Sequence, residues 1–402
     1  MAFSGKSLTR ESGHSAHLEL SPITPPPVAS SLAGSLAIKF RTWRNALVAS
    51  EEVRAWMMRI PGLRAFANRK ANALFRITGG FIFTQVLNTC VKMNIFQALM
   101  EGPKTSADLA DGSRLGLERM QLLLRQAERL EFIVEIEPGL WMLNDAGAVV
   151  ASDPGIQAMI LHHDIFYRDL EQPDQLLAAP ETETRLKSYW AYVRHTHLDE
   201  IDTETAADYS SLMHHSQAML ADCVLAAYDF GWHRSLLDIG GGDGSFLAHC
   251  AKKHPDLNLH LFDLPVVADL ARDNLERRGL SGRSTVHGGD FTADRIPDET
   301  ECVSLVRILC DHDDDRVRQI LSNLHRSLKP GTRLVIAEAM AGPSEGARLA
   351  AVYFSMYFLA MGSGRCRSDT EIRLLLTEAG FRRPKTIKTT NPLLATLVTA
   401  ER

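Results

Sequence analysis

The sequence predicts an α/β fold in which a doubly wound parallel sheet ends in an antiparallel hairpin, after a helical region that carries a small wing. Three observations support this prediction. After residue 234, short apolar segments alternate with helical ones, which is typical of a parallel sheet with helices on both faces. A glycine-rich turn follows the first apolar segment. Near the carboxyl end, two strand-like segments flank a turn at Asn391-Pro392, which predicts the hairpin.

The predicted elements follow one another in a simple order. Three short helices, the last of them Leu117–Leu130, precede a hairpin made by Phe132–Glu137 and Trp141–Leu143, and residues 150–225 are mostly helical. The strands of the sheet are predicted at Ser235–Ile239, Leu257–Phe262, Ser284–His287, Cys302–Leu309 and Arg333–Ala337, and those of the terminal hairpin at Lys385–Thr389 and Ala395–Thr399.

Length and composition define the domains. A chain of 402 residues has room for two domains and a tail. We predict a disordered tail over 1–35, which is rich in Ser, Pro and Gly, a helical and winged-helix domain over 36–220, and the α/β domain over 221–402. The 6 cysteines contain no CxxC pair, so neither a zinc site nor a disulfide framework is expected. With no signal peptide and no apolar run of roughly 18 residues, the chain is expected to be cytoplasmic.

Residues 41–76 are basic, and aromatic residues are interleaved with the basic ones. They hold seven arginines and one lysine against Glu51 and Glu52, with Trp43, Trp56 and Phe66 among them. A basic helix with aromatic residues can lie on an anionic membrane surface, which would make the protein peripheral on the inner face of the membrane. The alternative is a solvated helix face that packs on a partner.

The wing raises the question of nucleic-acid binding. The presumed recognition helix Leu117–Leu130 carries Arg119, Arg125 and Arg129 against Glu118 and Glu128. This near balance is unfavourable for phosphate contacts, and the net charge of −5 adds no attraction. We therefore expect no nucleic-acid partner.

The strongest motif is the glycine loop after the first strand. Gly240, Gly242 and Gly244 follow the acidic Asp238, and a helix begins near Ser245. Glycine allows a ligand to approach the backbone closely. The dinucleotide pattern requires its third glycine at position 245, where serine stands. Asp238 would repel a diphosphate and suits a cationic amino-acid group better.

Two further carboxylates end the next strands. Asp263 follows the second strand, where it could accept both hydroxyls of a ribose, and Asp290 follows Gly288-Gly289, with Phe291 placed against an adenine ring. The carboxyl ends of parallel strands meet where doubly wound sheets bind ligands. The alternative interpretation is that these glycines only form turns and these aspartates only cap helices, with no ligand bound.

Together these residues resemble class I methyltransferases, and more closely the small-molecule O-methyltransferases with a winged-helix dimerisation domain. The resemblance covers about residues 70–402, with Phe262–Pro265, Gly289–Phe291 and Lys329–Gly331 as landmarks. Leu305–His312 and Val352–Ser368 are similar to the carotenoid enzymes of phototrophic bacteria, the demethylspheroidene or hydroxyneurosporene O-methyltransferases. The resemblance implies methyl transfer from S-adenosyl-L-methionine to a tertiary hydroxyl of a lipophilic carotenoid, and a homodimer.

The resemblance also implies site residues. Those expected to contact the methyl donor, besides the glycine loop and its Asp238, are Asp263, Leu264, Gly289, Asp290, Phe291, Arg307, Met213 and Ser216.

The usual catalytic histidine of the family is replaced. Cys310 stands at its position, His312 stands where a tryptophan is usual, Cys366 replaces a glutamate that often orients the base, and Glu338 is retained. A tertiary alcohol is far less acidic than a phenol and depends heavily on a base. Our hypothesis is that His312 is that base, because an extended strand through Cys310 would place residues 310 and 312 on one side.

Other arrangements remain open for the base. Cys310, another group or no dedicated base are possible, and His162 and His163 are further candidates. If the chain has already turned, His312 is a helix-capping or supporting group. The aspartates beside it are expected at a helix start, so no metal is predicted.

A second aromatic stretch is predicted to line the substrate site. Tyr353, Phe354, Met356, Tyr357 and Met361 lie in a helix that is apolar nearly all round, and His162 and His163 join them as candidate substrate contacts. Ordinary core is the alternative. Two further functions stay open: methylation of a lipophilic phenol or quinone-like compound, and a non-catalytic regulator that senses the donor.

Overall fold

A computed structural model describes residues 32–179, 181–195 and 217–402. The predicted tail lies outside these residues up to residue 31, and the first helix begins at Leu32. The chain divides into two compact units, Met1–Phe81 and Ile82–Arg402, so the predicted boundary between residues 220 and 221 falls inside the second unit. None of the helices in these described ranges is both long and apolar enough to span a bilayer.

The described part of the first unit is helical, and its residues from 34 to 78 form no buried core. Its helices are α1 (Leu32–Ala49), α2 (Glu51–Met57) and α3 (Pro61–Thr78). Ser50 caps α2 by accepting a hydrogen bond from a backbone N–H, and Pro61 begins α3, where its fixed φ suits the first turn. No residue from 34 to 78 is buried. The apolar side chains of these helices, such as Trp43 at 58% exposure, therefore face outward.

The second unit begins with the winged region, and the predicted helices and wing are confirmed. Its elements are α4 (Gly80–Lys92), α5 (Ile95–Met100), α6 (Ser106–Asp111), α7 (Leu117–Arg129) and a sheet of β1 (Lys104–Thr105), β3 (Leu140–Leu143) and β2 (Ile133–Glu137). A capping box of Thr105 and Asp108 starts α6. Trp141 is buried at the centre, and its indole N–H donates to Ser106 Oγ at 2.8 Å.

In the part of the chain that the structure describes, four helices lie between the wing and residue 196. They are α8 (Asp145–Ser152), α9 (Pro154–Asp169), α10 (Pro173–Ala178) and α11 (Arg185–His195). The Asp153 carboxylate accepts two backbone N–H bonds and caps α9. Asp164 fixes the middle of α9, because its carboxylate accepts from Asn88 at 2.8 Å and pairs with Lys92 of α4.

The large sheet has the predicted doubly wound topology. Its strands are β4 (Ser235–Ile239), β5 (Asn258–Asp263), β6 (Ser284–Gly288), β7 (Cys302–Val306), β8 (Arg333–Glu338), β9 (Arg382–Ile387) and β10 (Thr396–Glu401), in the order β6-β5-β4-β7-β8-β10-β9. The first five run parallel, and β10 lies antiparallel between β8 and β9. The terminal hairpin is confirmed, with a bulge between Thr399 and Glu401.

Helices cover both faces of this sheet. They are α12 (helical over 217–227), α13 (Ser245–Lys253), α14 (Pro265–Arg277), α15 (Asp314–Ser327), α16 (Glu345–Met361) and α17 (Asp369–Glu378). One apolar cluster packs Leu236 and Leu259 under α12 and α13, and the other packs Leu237 and Leu305 under α15 and α17. Helices α9 and α11 pack on α16, which joins the winged region to the sheet domain.

The prediction for the fourth strand was wrong at its carboxyl end. It extended the strand to Leu309, whereas β7 ends at Val306 and a 3₁₀ turn occupies Leu309–Asp311. The turn begins at Arg307, whose φ of +57° lies in the left-handed region, where a side chain other than glycine is strained. The apolar run Ile308–Cys310 continues the pattern of the strand, so periodicity did not reveal the end.

Candidate active site

The glycine loop follows β4 and is shaped by three left-handed glycines. Gly240, Gly242 and Gly244 have φ values of +67°, +57° and +79°. A Cβ on Gly240 would lie 2.5 Å from the Ile308 side chain, whereas a Cβ on Gly242 would meet nothing within 4 Å. The loop is therefore packed against the turn after β7 at Gly240 and leaves open space at Gly242, which a ligand can use.

Asp263 ties the end of β5 to this loop. Its carboxylate accepts the Gly242 N–H at 2.9 Å and the Leu264 N–H at 2.7 Å, and it is 8% exposed. Burial raises the pKa of Asp263, and the two N–H donors oppose this rise. Leu264 beside it is 45% exposed. The structure thus places a carboxylate and an apolar side chain next to the open position of the loop.

Asp238 lies beneath the loop. It is 2% exposed, and Ser304 of β7 donates a hydroxyl hydrogen bond to it at 2.6 Å. Burial raises the pKa of Asp238 to about 7, and the neighbouring Asp263 carboxylate adds to this rise. The side chain therefore supports the loop from below, and direct contact with an amino-acid group stays a prediction.

The third strand end carries Asp290 and Phe291. Asp290 accepts the N–H and hydroxyl of Thr292 at 2.8 and 2.6 Å, and these contacts lower its pKa. Gly289 is required here, because a Cβ would lie 2.6 Å from the Phe262 ring. The Phe291 ring lies 6.0 Å from the ring of His312 in an edge-to-face arrangement. His312 therefore borders the Phe291 side of the crevice formed by these strand ends.

The turn after β7 removes the geometric condition for His312 as a base. That hypothesis required an extended chain through Cys310, and the 3₁₀ turn at Leu309–Asp311 places the two side chains differently. Cys310 is 6% exposed, its pKa is raised far above the usual value by burial, and its backbone N–H donates to Glu338 at 3.0 Å. The thiol is thus neutral and buried.

Glu338 ends β8 and supports the same turn. It is 1% exposed, and burial raises its pKa to about 7, against the opposing effects of the Cys310 N–H and the Arg367 guanidinium. Its contacts are with the backbone of the turn. It acts on the site through the position of the turn.

The predicted substrate residues form one aromatic wall. Tyr353, Phe354 and Met356 are partly buried and Tyr357 and Met361 are buried, and all five pack in one cluster with Phe166, Leu186 and Cys310. Two histidine–tyrosine contacts bring polar atoms into this wall. His162 Nε2 lies 2.9 Å from Tyr357 Oη, and His163 Nε2 lies 2.8 Å from Tyr353 Oη. All seven predicted residues are thus brought together.

Comparison with known proteins identifies the family. A family model described as an O-methyltransferase domain matches residues 185–382. The demethylspheroidene O-methyltransferase of Cereibacter sphaeroides is 40% identical over 86% of this chain and 90% of its own length. The chain belongs to the S-adenosylmethionine-dependent O-methyltransferase family. A second relative with the same description, from Rhodobacter capsulatus, is 37% identical over 86% of this chain and 85% of its own.

Solved structures of O-methyltransferases share the fold. The mitomycin 7-O-methyltransferase superposes with a TM-score of 0.68 at 24% identity, covering 85% of this chain and 99% of that one. Human N-acetylserotonin methyltransferase, solved in complex with S-adenosylmethionine, has a TM-score of 0.66 at 22% identity and covers 83% and 97%.

In this O-methyltransferase, several site residues were missed from the sequence. Arg367, with no side-chain exposure, donates to the carbonyls of Leu309 and His312 and to the Asp314 carboxylate, at 2.7 to 2.8 Å. It thereby holds the turn after β7. Its four contacts, 53 to 58 residues away along the chain, gave no sequence signal.

The sequence analysis also missed Trp190 of α11. Its indole N–H donates to Tyr357 Oη at 2.9 Å. Met213 and Ser216, which the resemblance assigns to the donor, lie outside the described residues. Within the described ranges, no group of three His, Cys, Asp or Glu side chains is arranged to hold a metal ion.

Proposed function

We propose that the enzyme transfers the methyl group of S-adenosylmethionine to the tertiary 1-hydroxyl of an acyclic carotenoid, of the demethylspheroidene or hydroxyneurosporene type, in spheroidene or spirilloxanthin biosynthesis. The observation that carries this proposal is the aromatic wall of α16, which borders the turn after β7 through Cys310. A long polyene needs such an apolar lining, and methionine adapts to irregular shapes. The two relatives described as demethylspheroidene O-methyltransferases support the same substrate class.

The crevice fits the methyl donor. The open position at Gly242, the exposed Leu264 and the Asp263 carboxylate can hold a nucleoside, and Phe291 offers a ring for its base. When bound, S-adenosylmethionine supplies an electrophilic methyl carbon on a positively charged sulfur. Holding the acceptor hydroxyl in line with that carbon lowers the barrier by proximity and orientation, and the aromatic wall excludes water from the acceptor.

The decisive test is methyl transfer with defined acceptors. Purified full-length enzyme is incubated with methyl-labelled S-adenosylmethionine and either a detergent-dispersed 1-hydroxycarotenoid or a lipophilic phenol. We expect label on the carotenoid. Label on the phenol alone would support a methyltransferase but contradict the carotenoid as its substrate. Donor binding without transfer to either acceptor would indicate a non-catalytic regulator.

A matched pair of variants controls this assay. Asp263→Ala removes a carboxylate that holds the loop, and donor binding should fall. Asp269→Ala removes a carboxylate of α14 that is 73% exposed and pairs with Arg272, and it should behave as the wild type. Equal transfer by both variants would contradict the placement of the donor.

We also propose that the enzyme is cytoplasmic and that residues 41–76 hold it on the inner face of the membrane. Their basic and apolar side chains are exposed together, with Trp43, Trp56 and Phe66 each at 50% exposure or more. Basic residues near an anionic bilayer contribute about 1 kcal/mol each. A carotenoid must be taken from the bilayer, which gives such contact a purpose.

Vesicle binding tests this surface. Full-length enzyme should sediment with anionic vesicles and less with neutral ones, and reversing Arg64, Arg69 and Lys70 to glutamate should remove the difference. The control reverses three exposed arginines of α7, namely Arg119, Arg125 and Arg129. Binding that is lost equally in both variants would indicate general charge attraction only.

We propose a homodimer on the family resemblance, and light scattering of the detergent-free enzyme tests it.

A further inference from the structure

Two histidine–tyrosine pairs lie side by side in the aromatic wall. His162 and His163 are neighbours on α9, and Tyr353 and Tyr357 are one turn apart on α16. Each ring nitrogen Nε2 faces one phenolic oxygen, at 2.8 Å for His163 with Tyr353 and 2.9 Å for His162 with Tyr357. A wall for a hydrocarbon needs no polar atoms, so two partly buried polar pairs call for an explanation.

The two pairs differ in what surrounds the phenolic oxygen. Tyr357 is 8% exposed, and its oxygen also accepts the Trp190 N–H at 2.9 Å. Tyr353 is less buried, and among the described residues its oxygen has His163 as its hydrogen-bond partner. A phenol can donate once and accept twice. Tyr353 therefore keeps two accepting positions for a further hydroxyl, whereas Tyr357 keeps one and is the more buried of the two tyrosines.

Both tyrosine pairs lie beside the turn after β7, because Tyr353 and Tyr357 pack in the cluster that contains Cys310. The positive charge of Arg307 lowers the pKa of both phenols, against the larger opposite effect of burial. Arg307 is also the first residue of the turn whose next residue, Ile308, packs against Gly240 of the loop. Both pairs, the arginine and the glycine loop thus form a continuous series of neighbours.

We propose that Tyr353 removes the proton of the acceptor hydroxyl while it passes its own proton to His163. This inference rests on the proposed function. The acceptor O–H bond breaks as the O–CH₃ bond forms, and the C–S bond of the donor breaks with its electron pair on sulfur. The acceptor proton moves to the Tyr353 oxygen, the phenolic proton moves to His163 Nε2, and the resulting imidazolium releases a proton to solvent. Tyr353 is the catalytic residue, and His163 acts through it.

The charges around His163 suit this role. Burial lowers its pKa, and the Asp164 carboxylate opposes this shift, so the ring is neutral at neutral pH and can accept a proton. The other groups that face the pair are His162 and Tyr167 on α9, Tyr357 on α16 and Arg307 after β7, with Lys92 and Arg168 near Asp164. Arg307 stabilises negative charge that develops on the Tyr353 oxygen.

The kinetic test compares the two pairs. Tyr353→Phe and His163→Gln should each lower kcat with a 1-hydroxycarotenoid by about 100-fold or more, the usual contribution of a general base. The double variant should be no slower than either single one. Tyr357→Phe and His162→Gln remove an equivalent contact one turn away, and their loss in kcat should be much smaller. Equal losses in the two pairs would overturn the proposal.

Three further readouts separate chemistry from packing. Calorimetric donor binding should be the same in Tyr353→Phe and wild type. An acidic phenol, which ionises without help, should be methylated by Tyr353→Phe at close to the wild-type rate if the enzyme accepts it. The wild-type rate of methylation of the alcohol should fall as the pH is lowered and His163 becomes protonated. In Tyr353→Phe this fall of the rate at acid pH should be absent.

Nitrogen NMR of the free enzyme makes the inference independent of the substrate. Proton transfer from Tyr353 to His163 requires that neutral His163 carries its proton on Nδ1, so that Nε2 can accept from Tyr353. The His163 Nε2 resonance should therefore shift in Tyr353→Phe. A wild-type enzyme that methylates no hydroxycarotenoid refutes the proposed function. In that case the NMR result alone decides whether His163 accepts the proton of Tyr353. A proton on Nε2 of His163 would overturn the proposal.

Discussion

Replacing Arg367 by methionine tests how the turn after β7 is held in place. The guanidinium is fully buried, and it donates to two backbone carbonyls and to the Asp314 carboxylate. Without it, the His312 carbonyl loses this donor, whereas the Leu309 carbonyl keeps the His312 N–H and Asp314 keeps Arg365. A buried acceptor left unsatisfied costs roughly 1–3 kcal/mol, and the ion pair adds about 1 kcal/mol, because Asp314 is 34% exposed. We expect the free energy of unfolding to fall by about 2–4 kcal/mol.

The chain offers a matched control two residues away. Arg365 also pairs with Asp314, at 2.8 Å, and with Glu371, but its side chain is 46% exposed. Exposed pairs contribute about 0–1 kcal/mol each, so Arg365→Met should cost far less. Urea unfolding of both variants, followed by tryptophan fluorescence, measures the difference. Equal shifts of the two midpoints would refute the reasoning, because burial would then not determine the cost.

Three other predictions concern the crevice and the turn. Gly240→Ala should lose about 1–2 kcal/mol of stability from its left-handed φ, and adding Ile308→Ala should recover only the part due to the 2.5 Å contact, as measured by urea unfolding. Asp263→Ala should weaken donor binding by about 10- to 100-fold, since hydrogen bonds to charged groups contribute about 1.5–3 kcal/mol; unchanged calorimetric affinity would refute this. The pKa of Glu338 is raised from 4.5 to about 7, so its carboxyl binds a proton more tightly in the folded protein. The free energy of unfolding should therefore fall as the pH rises from about 4.5 to about 7. In Glu338→Gln the free energy of unfolding should fall less steeply between about pH 5 and pH 8, and a slope identical to that of the wild type would contradict this prediction.

The sheet was predictable because its signals are local. Each buried strand is a short apolar run between turn residues, and Gly240, Gly242 and Gly244 mark the ligand loop by their spacing alone. The carboxyl ends of parallel strands meet by topology, so the neighbourhood of Asp263 and the loop followed without a structure. The Asp263 contact with Gly242 bears out that neighbourhood.

The acid–base part of the site was not predictable in the same way. Ile308, Leu309 and Cys310 continue the apolar pattern of β7, and the turn there depends on a left-handed residue and on Arg367, 55 residues from His312. The two histidine–tyrosine pairs join residues 190 and 195 positions apart. Periodicity and spacing describe neighbours within an element, so contacts over such separations need the folded chain.

The place of β10 between β8 and β9 has a consequence for biosynthesis. A ribosome delivers β8 well before β10, so β8 has an unpaired edge on one side for the whole time that α16, α17 and β9 are being made. Open edges invite pairing with other chains, and large domains are most prone to aggregate while such surface is exposed. The α/β domain can therefore complete its sheet only after β10 has been made, and slow expression in the cold, or a chaperone that covers strand edges, should raise the yield of native enzyme.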